Sequence, residues 1–159
     1  MTDTSVRAYR SVEAASEQVS IIKRSRFIGR CWPIHDEAEA LSLLEGVRKR
    51  CFDASHNCYA YSLGADGGVA RYSDDGEPSG TAGLPMMDVL KKRGVTDVHV
   101  VVTRYFGGIL LGAGGLVRAY TASCSEALRQ AGVVDYIPCE GYTCRVPYER
   151  WDTVKALIE

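Results

Sequence analysis

Val98–Ala131 reads VHVVVTRYFGGILLGAGGLVRAYTASCSEALRQA, and this stretch decides the fold. Its opening run, Val98–Thr103, is β-branched throughout except at His99, the composition of a strand buried on both faces at the centre of a sheet. Its closing half, Gly115–Ala131, sets Leu116, Ala119, Tyr120, Cys124, Ala127, Leu128 and Ala131 at i, i+3, i+4 spacing. That is an amphipathic helix, and Gly132 stands where its C-terminal cap belongs. A buried central strand needs partners on both edges and a helix needs a face to cover, so the stretch predicts an α+β domain.

Working outward, a second helix begins near Pro85, buries Met86, Val89 and Leu90, and stops at Gly94 after the basic turn Lys91-Lys92-Arg93. His56–Leu63 alternates in part, and the glycines of Gly64–Gly68 supply a hairpin turn into a return strand, Val69–Tyr72. Asp36 with Glu39 forms an acidic capping signature for a helix over Glu37–Arg50, whose apolar positions are Ala40, Leu43, Leu44 and Val47. Ala14–Arg24 and Arg26–Ile34 read as two strands with the bend at Ser25. Downstream, Val133–Pro138 reads as a connector, Glu140–Val146 as a strand and Pro147–Leu157 as a short helix. One strand and one helix cannot bury a core, so this tail either docks on a main domain, 1–135, or is the beginning of a second, 136–159, and the second is the expectation.

Nineteen Lys and Arg against 20 Asp and Glu leave a formal net charge of -1, which excludes a protein that binds polyanions through its overall field. Any nucleic-acid contact has to come from a local patch. The longest apolar runs fall far short of the roughly 20 residues that cross a bilayer as a helix. The N-terminus lacks a basic segment followed by an apolar one, and cytoplasm is the expected address. Six cysteines are scattered without a C-x-x-C pair and are expected as reduced, buried thiols. His56-Asn57-Cys58 offers two metal-binding side chains, but nothing at metal-site spacing completes a tetrahedral set.

Two loops carry the chemical information. In the first, Ser73–Pro85, Asp74, Asp75 and Glu77 share a short connection with Ser79, Thr81 and the glycines 76, 80 and 83. The carboxylates can hold a cation, pair with arginines of the other loop, or simply solvate the turn while Ser79 and Thr81 satisfy its backbone. In the second, Thr103–Tyr120, five glycines (Gly107, Gly108, Gly112, Gly114, Gly115) fall within nine residues and lead into the helix. Such an entrance offers unpaired N–H groups to a phosphate-type anion, or packs tightly against the sheet. It is neither a P-loop nor a dinucleotide fingerprint, since no Gly-Lys-Ser/Thr follows and Val117 occupies the place of the third glycine. Arg104 and Arg118 flank it as partners for the acidic loop or for an outside phosphate, while Tyr105 and Phe106 can stack a base, anchor a protein or pack in the core.

Asp74-Asp75-Gly76-Glu77-Pro78-Ser79-Gly80-Thr81-Ala82-Gly83-Leu84-Pro85, then Val100–Gly108 and Leu111–Tyr120, resemble the signature of the IMPACT family, also called YigZ-like. The likeness extends to Lys23–Ile28 and His56–Tyr61 and reaches about Ala131. It implies a two-layer sandwich like domain 2 of ribosomal protein uS5, a mixed sheet with helices on one face, followed by the start of a ferredoxin-like C-terminal domain. It also implies a role in translation regulation, because eukaryotic relatives bind a ribosome-associated activator of the amino-acid-starvation kinase. The expected function is therefore a non-enzymatic module binding RNA, the ribosome or a translation-associated protein, using Lys23–Arg26 and the two loops with His56 beside them. The alternative is an enzyme holding phosphate or a nucleotide on the glycine loop and Mg²⁺ or a base in the acidic one. No nucleophile stands beside a histidine and an orienting acid, so no catalytic residue, cofactor or metal is assigned.

Overall fold

The computed structural model describes residues 7–159. Strands β1 (Tyr9–Val12), β2 (Ser16–Ile22) and β3 (Ser25–Pro33) lead to helix α1 (Glu37–Arg50), then β4 (His56–Leu63), β5 (Val69–Ser73) and α2 (Gly83–Arg93). The chain continues through β6 (Val98–Tyr105), α3 (Gly112–Ala131), β7 (Val133–Tyr136), a short 3-10 turn at Tyr148–Arg150, and α4 (Trp151–Ile158). Five strands form one sheet in the order β2-β3-β6-β4-β5, with β6 in the middle as its β-branched run predicts. Val98, Val100 and Val102 pack with Phe27, Cys58, Met86, Leu90, Tyr120 and Leu128 beneath α2 and α3. Val101 points the other way, onto Leu44 and Val47 of α1.

Two expectations are corrected here. Every strand pairing in the large sheet is antiparallel, so the sheet is not mixed. The helices also cover both faces, because Ala40 of α1 packs on Tyr61 and Leu63 while the adjacent Ala60 faces α2 and α3. The crossover helices explain both. α1 joins β3 to β4, which run in the same direction, but β6 lies between them; α2 joins β5 to β6 with β4 between. Same-direction strands thus never touch. The two connections step across the sheet in opposite senses between strands of opposite direction, so equal handedness would put α1 and α2 on one face. They lie on opposite faces, and one crossover is therefore left-handed, against the strong right-handed preference of such units.

Local signals held closely. The Asp36 carboxylate accepts from the Glu39 N–H at 2.8 Å and starts α1, and Gly94 ends α2 at φ 63. The bend between β2 and β3 falls one residue earlier than expected, on Lys23 and Arg24 at φ 46 and 64, leaving Ser25 buried as the first residue of β3. Val133–Pro138 is not a plain connector: β7 pairs antiparallel with β1, a pairing that no local pattern predicts. Tyr9 stacks on Tyr136 at 5.0 Å, and Arg10 meets Asp135 at 2.8 Å. Glu140–Val146 forms no strand, and no residue of α4 is buried. Among the described residues no helix is long and apolar enough to cross a membrane. All six cysteines are free; Cys31, Cys51, Cys58 and Cys124 are buried as expected, whereas Cys139 and Cys144 are exposed. Burial pushes the Cys31 thiol up to about 12 and raises Cys58 and Cys124 as well, which keeps these thiols protonated.

His99 sits in β6 with no exposure, boxed by Trp32, Tyr59 and Tyr61, and neither ring nitrogen finds a partner. Burial lowers its pKa from 6.5 to about 4. The unfolded chain therefore takes up a proton that the folded protein refuses as pH falls below 6.5, and stability drops until the folded histidine titrates near 4. Urea unfolding is expected to show a loss of about 2 kcal/mol between pH 6.5 and about 5 that His99→Phe abolishes. Equal pH dependence in the two proteins would show that His99 is not held neutral.

Candidate functional site

The acidic loop between β5 and α2 closes on itself. Asp74 Oδ1 accepts from the N–H groups of Ala82 (3.1 Å) and Gly83 (2.8 Å), and Oδ2 accepts from Gly80 N–H at 2.9 Å. Ala82 has no side chain able to cap the helix, so Asp74 does it from eight residues upstream, and α2 begins at Gly83 rather than at Pro85. Asp75, at φ 41, accepts the Asn57 N–H at 2.7 Å, and its carbonyl takes a hydrogen bond from His56 Nδ1 at 2.8 Å. A carbonyl only accepts, so His56 carries its proton on Nδ1 and turns Nε2 toward Glu77 Oε2, 3.6 Å away. Thr81 donates to the Pro78 carbonyl at 2.6 Å, and Ser79 is exposed with no side-chain bond among the described residues.

Glu77 is the pivot between the loops. Its buried carboxylate receives Arg104 Nη1 at 2.8 and 3.1 Å and the Tyr120 hydroxyl at 2.6 Å. Burial, followed by its polar neighbours, raises the Tyr120 pKa far above normal, so the hydroxyl stays a donor. Arg104 also meets Ser25 Oγ through Nε (3.4 Å) and Nη2 (3.3 Å), and its guanidinium lies between the rings of Phe27 and Phe106 at 5.6 and 5.5 Å. The choice the sequence left open is thus settled for Arg104, which takes Glu77. Arg118 pairs with none of the acids; it is exposed and folds its guanidinium back over Gly114. Among the described residues no three His, Cys, Asp or Glu side chains gather as a metal set, and the three loop carboxylates point to different partners.

The glycine loop approaches the β2–β3 turn as closely as a backbone can. A Cβ on Gly107 would lie 2.1 Å from the Arg24 carbonyl carbon and oxygen, so only glycine fits. Phe106 is fixed by its N–H, which donates to Ser55 Oγ at 3.0 Å, yet its side chain is half exposed. Tyr105 turns away to the α1 face, donating to Asp53 at 3.1 Å beneath the Arg26 guanidinium at 4.5 Å. The structure therefore separates two aromatics adjacent in sequence. Gly108, Gly112, Gly114 and Gly115 form the exposed loop and first turn of α3, whose N-cap Leu111 supplies no side-chain bond and whose first turn holds no acid.

Between the two loops lies an open cleft of about 430 Å³, walled by Phe106, Leu110, Leu116 and Pro78 with His56 and Arg104 at its base. Lys23 and Arg24 stand exposed on one side, Arg24 against Gly107, whereas Arg118 is exposed on α3 and is not among the residues that line the cleft. Of the residues expected at the site, His56, Glu77, Arg104, Phe106 and Gly112 line the cleft; Asp74, Asp75 and Thr81 build its wall from behind, and Tyr105 leaves it. Ser25 and Ser55 were not legible as site residues. Each is a lone serine whose role depends on a partner about 50 to 80 positions away.

The Impact N-terminal domain model matches residues 23–128, the segment holding both loops and the turn. IMPACT family member YvyE of Bacillus subtilis is 48% identical over 130 residues, 82% of this chain and 60% of that protein. IMPACT family member YigZ of Escherichia coli is 42% identical over 142 residues, 88% of this chain and 70% of that protein. A crystal structure of a hypothetical protein superposes with a TM-score of 0.78 at 38% identity, covering 94% of this chain and 74% of the other. The chain thus spans about three fifths of YvyE's length. With its two loops joined through Glu77 and Arg104 inside the matched segment, the chain belongs to the IMPACT family through its N-terminal domain.

Proposed function

We propose that this domain is a non-enzymatic module that binds RNA of the translation machinery through the basic turn and the glycine loop. The observation that carries it is the sorting of charge. Asp74, Asp75 and Glu77 are all bonded inward, while Lys23 and Arg24 beside the glycine loop and Arg118 on α3 remain exposed with no ion pair among the described residues. A near-neutral chain thereby keeps unpaired cations next to its glycine-rich segment, the local positive charge that its net charge of -1 requires. The engagement of Glu77 by Arg104 and of Asp74 by the α2 backbone, which leaves the loop carboxylates pointing to different partners among the described residues, does not favour the alternative of an enzyme that binds phosphate or a nucleotide. The translation link is what membership of the family implies, its eukaryotic relatives binding a ribosome-associated activator. On the same reading the sheet with α2 and α3 is the uS5 domain 2-like layer pair, and residues 136–159 begin a ferredoxin-like unit.

Fluorescence anisotropy of a labelled ribosomal RNA fragment across a salt series tests this. Changing Lys23, Arg24 and Arg118 together to alanine is expected to weaken binding and to lower the slope of log Kd against log salt by about 2, near 0.7 for each single-strand phosphate contact. An unchanged slope would defeat the assignment of this face.

A further inference from the structure

The cleft itself has no occupant in that account, and the geometry points to one: an unpaired base of a single RNA strand, its ring laid on Phe106. This rests on the RNA reading and specifies what the site recognises. The cleft's volume of about 430 Å³ lies in the range of small-ligand pockets and suits one base with room for its sugar. Phe106 is pinned at its backbone by Ser55 and faced on one side by the Arg104 guanidinium, so a half-exposed ring is presented in a fixed place. At the base, His56 is held by its Nδ1 bond to the Asp75 carbonyl and turns its Nε2 edge toward Glu77, a polar edge that the N–H and carbonyl groups of an inserted base can meet.

The rim supplies the strand's other chemistry. Lys23 and Arg24 both hold positive φ in a two-residue hairpin turn, where Asn-Gly is the favoured pair. Two long cations kept in a strained conformation point to a role for their heads, and the Gly107 contact sets them beside Phe106. Backbone phosphates next to an inserted base meet these two cations on that side. A duplex keeps its bases stacked and cannot reach the ring, whereas a loop or single strand can.

A short oligouridine carrying one 2-aminopurine serves as the probe, titrated with the full chain and read by both fluorescence and anisotropy. Stacking on Phe106 is expected to quench the 2-aminopurine; Phe106→Ala should abolish the quench and weaken binding about 5- to 100-fold, while Phe106→Trp retains both. A blunt, fully paired duplex of similar length carrying the same probe should show no further quench on binding. Because Phe106 is half exposed, melting curves of the two variants should match the wild type. RNA binding with salt dependence but no quench, and no loss in Phe106→Ala, would overturn the base pocket and leave the RNA reading standing. No binding of any RNA would overturn both, as would a Phe106-dependent peptide complex that excludes RNA.

Discussion

Glu77→Ala is expected to destabilise the domain by about 3–5 kcal/mol, the usual result of stripping one partner from a buried ion pair. The pair is buried on both sides, with side-chain exposures of 6% for Arg104 and 2% for Glu77. Removing the carboxylate strands a guanidinium that keeps only Ser25, and leaves the Tyr120 hydroxyl without its acceptor. In a domain of this size the melting temperature should fall by on the order of 10 °C. Replacing both partners, Glu77→Leu with Arg104→Met, should recover much of the loss, because a packed apolar pair removes the unpaired charge. Urea titration of the two single variants and the double gives the coupling directly. A loss under about 1 kcal/mol in Glu77→Ala would mean the pair is solvated and does not hold the loops together.

Gly107→Ala is the second large effect. The added methyl would stand 2.1 Å from the Arg24 carbonyl and 2.6 Å from its Cβ, and backbone cannot swing aside as a side chain can. Either the β2–β3 turn or the loop must move, and a cost of about 3 kcal/mol is expected from such overpacking. Gly108→Ala is the matched control: its φ of 88 strains an alanine, but no atom lies within 4 Å of the new carbon. That substitution should cost about 1–2 kcal/mol, with the turn undisturbed. RNA affinity should fall in Gly107→Ala beyond what Gly108→Ala shows, since only the first displaces Lys23 and Arg24. Equal costs and equal affinities for the two would show that the close approach does not exist in solution.

Much of the site was legible because its residues are unusual where they stand. Asp74, Glu77, Arg104 and the glycines signalled a working loop, and five of the expected residues, His56, Glu77, Arg104, Phe106 and Gly112, do meet in one cleft. Their roles were not legible. Asp74 looked like a ligand and is a remote helix cap; Tyr105 looked like the twin of Phe106 and faces the opposite side of the sheet, as alternation along a strand demands. The β1–β7 pair escaped because four residues give too short a pattern, and its two halves lie about 125 positions apart.

By itself the sequence determined what depends on near neighbours: where α1 and α2 end, that β6 is central, and that the glycines admit a backbone approach. Periodicity, caps and turn residues act within a few positions, so they can be read along the chain. Only the tertiary structure decided that one crossover is left-handed, that Arg104 takes Glu77 while Arg118 stays free of the acids, and that the cations face outward. Those outcomes are set by which distant surfaces meet and exclude water, and a buried carboxylate chooses its partner by reach and desolvation rather than by sequence separation.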